Sequence, residues 1–169
     1  MRLILCGAAA ITLAGCGYHV SGHADLLPKN IKTIAVPAFA NVTIRYRLAD
    51  RLATDITREF IERTRYHVVA DPAQADAVLQ GAVISFVALP TTIDPASSRA
   101  SGVQVIVLLQ LVLTDNTGKV ILNRPGMEVR GRYEISADPK AYLDESGPAA
   151  ERVARDVART VVSAVLENF

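Results

Sequence analysis

The chain of 169 residues is half hydrophobic and carries 18 Lys and Arg against 17 Asp and Glu, a formal net charge of +1. That balance excludes a basic nucleic-acid-binding surface and an acidic disordered tract, so no nucleic-acid partner is expected. The apolar content is enough for one adequate core.

Met1 and Arg2 make a short positive start, and Leu3 to Leu13 is an apolar run interrupted only by small residues and Thr12. The run is too short to span a bilayer as a helix, which takes about 20 apolar residues. Its length and flanks are those of a secretory signal. Leu13-Ala14-Gly15-Cys16 resembles the lipobox of bacterial lipoproteins. The resemblance implies that residues 1–15 are a signal peptide, cut between Gly15 and Cys16, and that Cys16 then carries diacylglycerol and an N-acyl chain. A single acyl chain holds a protein only marginally, but each further buried methylene adds about 0.8 kcal/mol, so this lipid would be a lasting anchor. Gly17 follows, not the Asp familiar as an inner-membrane retention signal, so the outer membrane is the expected location. The only other cysteine, Cys6, leaves with the signal; no internal disulfide and no cysteine metal site remain. Losing Arg2 leaves 17 basic against 17 acidic residues, a neutral mature chain.

Residues 16–30 read as an acylated, extended lead-in containing Gly22 and Pro28. Ile31 to Val36 is rich in branched residues and stops at Pro37, as a strand does. Asn41 or Thr43 is placed to cap a helix in which Leu48, Leu52, Ile56 and Phe60 recur every four positions, about five turns with one core face. Tyr66 to Ala70 is a short strand, and Asp71-Pro72 turns the chain. Ala77 to Leu89 is a nearly continuous apolar strand, followed by an expected loop from Pro90 to Ser101. Val103, Val105, Val107, Leu109, Leu111 and Leu113 then form an unbroken alternate row. Asp115 to Gly118 is a hairpin turn, its glycine where positive φ costs little. The return strand, Glu128 to Ile135, alternates cleanly, and Pro125-Gly126 predicts a bulge suited to an edge strand. Pro148 opens a last helix with a Val153, Val157, Val161, Val165 stripe. Residues 31–169 thus form one domain of the α+β class. It is a two-layer sandwich with two helices packed on one face of a mixed four- to five-stranded sheet.

Chemistry is sparse. There is no phosphate-binding glycine loop, nucleophile elbow or paired-histidine zinc helix. His19 and His23 lie four apart in the lead-in without a third ligand, which favours an ordinary exposed pair over a metal site. His67 lies in a short strand, where an exposed or satisfied side chain is the plainer reading. Asp71, Asp76 and Asp94 fall in turn-like segments, where Asp serves local hydrogen bonding. No catalytic residues, metal or cofactor are expected beyond the lipid on Cys16.

Cys16-Gly17-Tyr18-His19-Val20-Ser21-Gly22 resembles the opening of the LptE family of lipopolysaccharide-assembly lipoproteins. The likeness continues through Leu27-Pro28, Ile31 to Asn41, Tyr66 to Val69, Ala75 to Gly81 and Gly131 to Ser136. Gly147-Pro148 and the lack of a polar tail after Phe169 depart from some members. The resemblance implies an outer-membrane lipoprotein that sits as a plug inside the β-barrel LptD, helps that barrel assemble and assists lipopolysaccharide insertion into the outer leaflet. The alternative is a lipid-anchored accessory or scaffold subunit of another envelope export complex. If the three long strands pair in sequence, Arg99, Arg132 and Lys140 share one end of the sheet, where they would meet lipid A phosphates. The plainer reading is three scattered cations that keep the domain soluble.

Overall fold

The computed structural model describes residues 27–44, 46–95, 98–134 and 148–167. The signal segment, Cys16, His19, His23, Ile135 and Lys140 lie outside them. In chain order the elements are β1 (Thr33–Ala35), β2 (Ala40–Asn41), α1 (Tyr46–Arg63), β3 (His67–Val69), a 3-10 turn at Pro72–Gln74, β4 (Ala77–Asp94), β5 (Arg99–Asp115), β6 (Val120–Glu134) and α2 (Pro148–Glu167). The strands form one six-stranded mixed sheet in the order β3-β1-β4-β5-β6, with β2 also paired to β4. β1 runs parallel to β3 and β4, β2 is parallel to β4, and β4, β5 and β6 are successively antiparallel.

The alternate row of β5 explains the layering. Val103, Val105, Val107, Leu109, Leu111 and Leu113 are all buried, and they share one core with Leu48, Leu52, Ile56 and Phe60 of α1 and Val153, Val157, Val161 and Val165 of α2. Ala154, Ala158 and Val162 widen the α2 stripe and are fully buried. A strand with period two and two helices with period near 3.6 present matching apolar surfaces, and one layer of helices covers both stripes. The opposite rows of β4 and β5 face away from the helices, which leaves Val87 and Leu89 exposed.

Three sequence expectations change. Pro90 to Ser101 is not a loop: β4 continues through Thr91, Thr92 and Ile93 to Asp94, which pairs with Arg99. Proline is tolerated there because the described strands on the far side of β4 end at Val83, so the missing N–H breaks no ladder bond. The sheet also gains β2, two residues long and therefore without any periodic signal. Asn41 does not cap α1; its Oδ1 accepts the Thr43 N–H at 2.9 Å and the Thr43 hydroxyl at 2.8 Å, closing a local turn. The other punctuation holds. Gly118 has φ +86° in the β5–β6 turn, where Asp115 accepts the Thr117 and Lys119 N–H groups at 2.9 Å. The β5–β6 register slips between Leu109 and Leu111, opposite Pro125-Gly126, and β6 lies at the edge of the sheet among the described strands.

Asp76 fastens the parallel part of the sheet. Its Oδ2 accepts the Lys32 and Thr33 N–H groups at 2.8 and 2.9 Å, and its own N–H donates to the Thr33 hydroxyl at 2.9 Å. Its carbonyl accepts the Asn116 N–H, tying in the β5–β6 turn. The Lys32 amide, followed by the Thr33 amide, holds the carboxyl below its ordinary value of 3.8. A depressed folded pKa contributes stability above the unfolded pKa and loses it as the pH falls through the folded value. Asp76→Asn is therefore expected to lower the melting temperature at pH 7, with the gap to the parent narrowing below about pH 4. A gap that stays constant down to pH 2 would show that the carboxylate charge contributes nothing.

Candidate functional site

The most distinctive surface is the β4–β5 hairpin with the edge of β6 beside it. Beyond Val83, where β2 ends, β4 extends for about 35 Å at the usual strand rise. β6 supports only part of this arm, since its last described residue, Glu134, pairs with Gly102. Three register shifts, at Val83/Ser85, Pro90/Thr92 and Thr92/Ile93, mark the arm and strengthen its local twist. The tip is closed by the Ser98 N–H donating to the Asp94 carbonyl at 2.8 Å, with Ser98 at φ 53°. Ile93 is 65% exposed near this tip and Leu89 46% exposed further back, so the arm presents apolar as well as polar groups.

The sequence-predicted cations fall as follows. Arg99 is the first residue of β5, at the tip. Arg132 is exposed and pairs across the ladder with Gln104. The two lie at the same end of the sheet, with Arg99 further out by about 16 Å along β5. Strands do pair in sequence, but no direct Arg99–Arg132 cluster follows from this register. Lys140 lies outside the described residues. Along β6 the outward row reads Glu128, Arg130, Arg132, Glu134, all exposed, with Arg130 ion-paired to Glu128. His67 is exposed at the β3 edge, and Asp71 caps the 3-10 turn by accepting the Ala73 N–H at 2.9 Å.

Residues from the family-like segments set this surface from beneath. Tyr133 folds back over Gly131, so closely that a methyl group on Gly131 would overlap its ring. The Tyr133 hydroxyl donates to Asp156 of α2 at 3.0 Å, and burial followed by that bond raises its pKa above the ordinary 10.0. β6 is thereby latched to α2, which fixes the alternation that turns Arg130 and Arg132 outward.

Sequence reasoning missed the contacts between the helices. Arg51 donates to Glu151 at 2.9 Å, Arg159 to Glu59 at 3.3 Å and Arg63 to the Ser163 hydroxyl at 3.2 Å, each pair 100 residues apart. A constant offset over three successive turns means that α1 and α2 run parallel, side by side. Glu59, only 8% exposed, also pairs with Arg63 at 3.6 Å. Each of these charges lies off the apolar stripe of its own helix, and no local pattern reveals a partner so distant in sequence.

Among the described residues, no three His, Cys, Asp or Glu side chains come together as metal ligands. No described helix is long and apolar enough to cross a membrane.

The sequence profile of a family described as LptE, lipopolysaccharide-assembly, matches residues 31–165. No curated protein matches the chain. Among solved structures, one from Xanthomonas campestris superposes with a TM-score of 0.54 at 16% identity, over 81% of this chain and 84% of that one. A candidate lipoprotein from Caulobacter crescentus gives 0.50 at 17% identity, over 87% and 91% of the two chains. The rare lipoprotein B of Shewanella oneidensis gives 0.43 at 16% identity, over 80% and 92%. At these identities the first two share the fold alone.

Proposed function

This chain belongs to the LptE lipopolysaccharide-assembly family, and on that premise we propose that its mature form is an outer-membrane lipoprotein anchored through Cys16. In this reading it lodges within the lumen of an LptD-type β-barrel, helps that barrel assemble and assists insertion of lipopolysaccharide into the outer leaflet. The observation that carries the proposal is the family match across both helices and all the strands. The shape supports it. A sheet strand of 18 residues makes a body about 60 Å long and only two layers thick. Its outward β6 row holds two acids and two bases, all exposed, the kind of mixed polar surface that suits the polar interior of a barrel. Near-zero net charge points to docking by shape and local pairs rather than by one charged patch. The protein performs no chemistry in this role. Arg99 and Arg132, with Lys140, are the cations proposed to meet lipid A phosphates, which an Arg fork binds bidentately.

Affinity purification of the tagged protein from membranes is the test. The expected result is a large β-barrel in about one-to-one ratio, with fatty-acid probe label on the parent and none on Cys16→Ala. In the same complex a photoreactive residue at position 99 is expected to crosslink lipopolysaccharide, and one at exposed Glu62 of α1 is not. A protein that runs only as a free monomer rejects the lumen reading. Recovery of a different envelope complex without a barrel would favour the accessory-subunit role. Full labelling of Cys16→Ala removes the anchor assignment.

A further inference from the structure

Away from the hairpin, α1 and α2 flank an open groove of about 280 Å3 lined by Arg51, Asp55, Arg58, Glu151 and Arg155. Three guanidiniums face two carboxylates there, so the lining carries one uncompensated positive charge. The hydrogen bonds show which cation is committed. Arg51 is held by Glu151 at 2.9 Å. Arg58 approaches Asp55 only to 3.9 Å, an ion pair longer than a hydrogen bond. Arg155 touches the Glu151 carbonyl through Nε at 3.5 Å, a long contact that leaves its terminal nitrogens unused by it. Asp55 is 8% exposed, so its charge sits at the floor of the groove while the Arg58 side chain, 59% exposed, stands at the rim.

We propose that this groove binds a phosphate monoester or diphosphate group between Arg58 and Arg155, with Arg51 as a fixed third wall. A guanidinium offers five N–H donors in a planar fork that matches two phosphate oxygens at once, and two such forks across one groove favour a tetrahedral dianion over chloride. Glu151 keeps Arg51 from collapsing onto the anion, and Asp55 orients Arg58 without saturating it. The same chemistry fits a soluble phosphate or the headgroup of an anionic lipid. The site lies on the helix layer, apart from the Arg99 and Arg132 surface, and does not rest on the barrel reading.

The test uses the mature acylated protein in neutral detergent, labelled with 15N at arginine, titrated with inorganic pyrophosphate and separately with a short-chain phosphatidic acid. Saturable shifts of the Arg58 and Arg155 Nε–Hε resonances are expected with at least one ligand, and the tighter of the two identifies the source. Arg58→Gln and Arg155→Gln should each weaken that binding about tenfold, whereas Arg130→Gln, outside the groove, leaves it unchanged. Thermal melts of the variants confirm that they fold, since both side chains lie at the surface. Shifts that never saturate, or an equal loss from Arg130→Gln, overturn the proposal. Barrel co-purification is scored independently, so either result can fail without the other.

Discussion

Phe60→Ala is expected to lower the unfolding free energy by about 3–5 kcal/mol, the usual cost of emptying a fully buried aromatic site. Phe60 has no exposed surface and is among the largest fully buried side chains. It is the last member of the α1 stripe, and the next turn ends the helix, with the Thr64 hydroxyl donating to the Phe60 carbonyl at 2.6 Å. Domains of this size are stable by only about 5–15 kcal/mol, so the variant would sit near the edge of folding. Urea unfolding followed by circular dichroism gives the number as a shift in midpoint at unchanged slope. A loss below about 1 kcal/mol would mean that α1 is not seated on the sheet as described.

Gly81→Ala is expected to cost about 1–3 kcal/mol although it adds a single methyl group. The Phe39 ring lies on Gly81, and a Cβ there would overlap three of its ring carbons. Phe39 is 6% exposed and follows β1 in the segment that leads to β2, so a displaced ring also disturbs the β2–β4 pairing next door. The glycine is needed for its empty space rather than for an unusual backbone angle. That distinction is testable by a double-mutant cycle with Phe39→Leu. The smaller side chain makes room, so Gly81→Ala should cost less in the Phe39→Leu background than in the parent. Additive costs would place the strain in the β4 backbone instead.

Much of this architecture is legible in the sequence. A row such as Val103 to Leu113 admits only a strand with one buried face, and Leu48 to Phe60 and Val153 to Val165 admit only helices with one core stripe. Turn chemistry is equally local: Gly118 and the Pro125-Gly126 bulge stand where their residue types require. The two-layer arrangement follows, because two helical stripes and one strand row have to cover one another. The family-like blocks were visible too, and the structure gives two of them a packing reason in Gly81 under Phe39 and Gly131 under Tyr133.

Other features were decided only by the tertiary structure. Pro90 and the polar residues after it resemble a loop when read alone, yet they continue β4 because β5 supplies a ladder on one side and the other side asks for no N–H. β2 exists because β4 offers an edge beyond β1, a fact about neighbours and not about Ala40-Asn41. The parallel course of α1 and α2, with Arg51 to Glu151 and Arg159 to Glu59, depends on how the sheet carries the chain between them. Periodicity reports which side of one element is buried and is written into short stretches of chain. Which elements meet, and in what register, is settled by packing between residues far apart in sequence, and side chains that lie off the apolar stripes carry no local mark of the partners they will find.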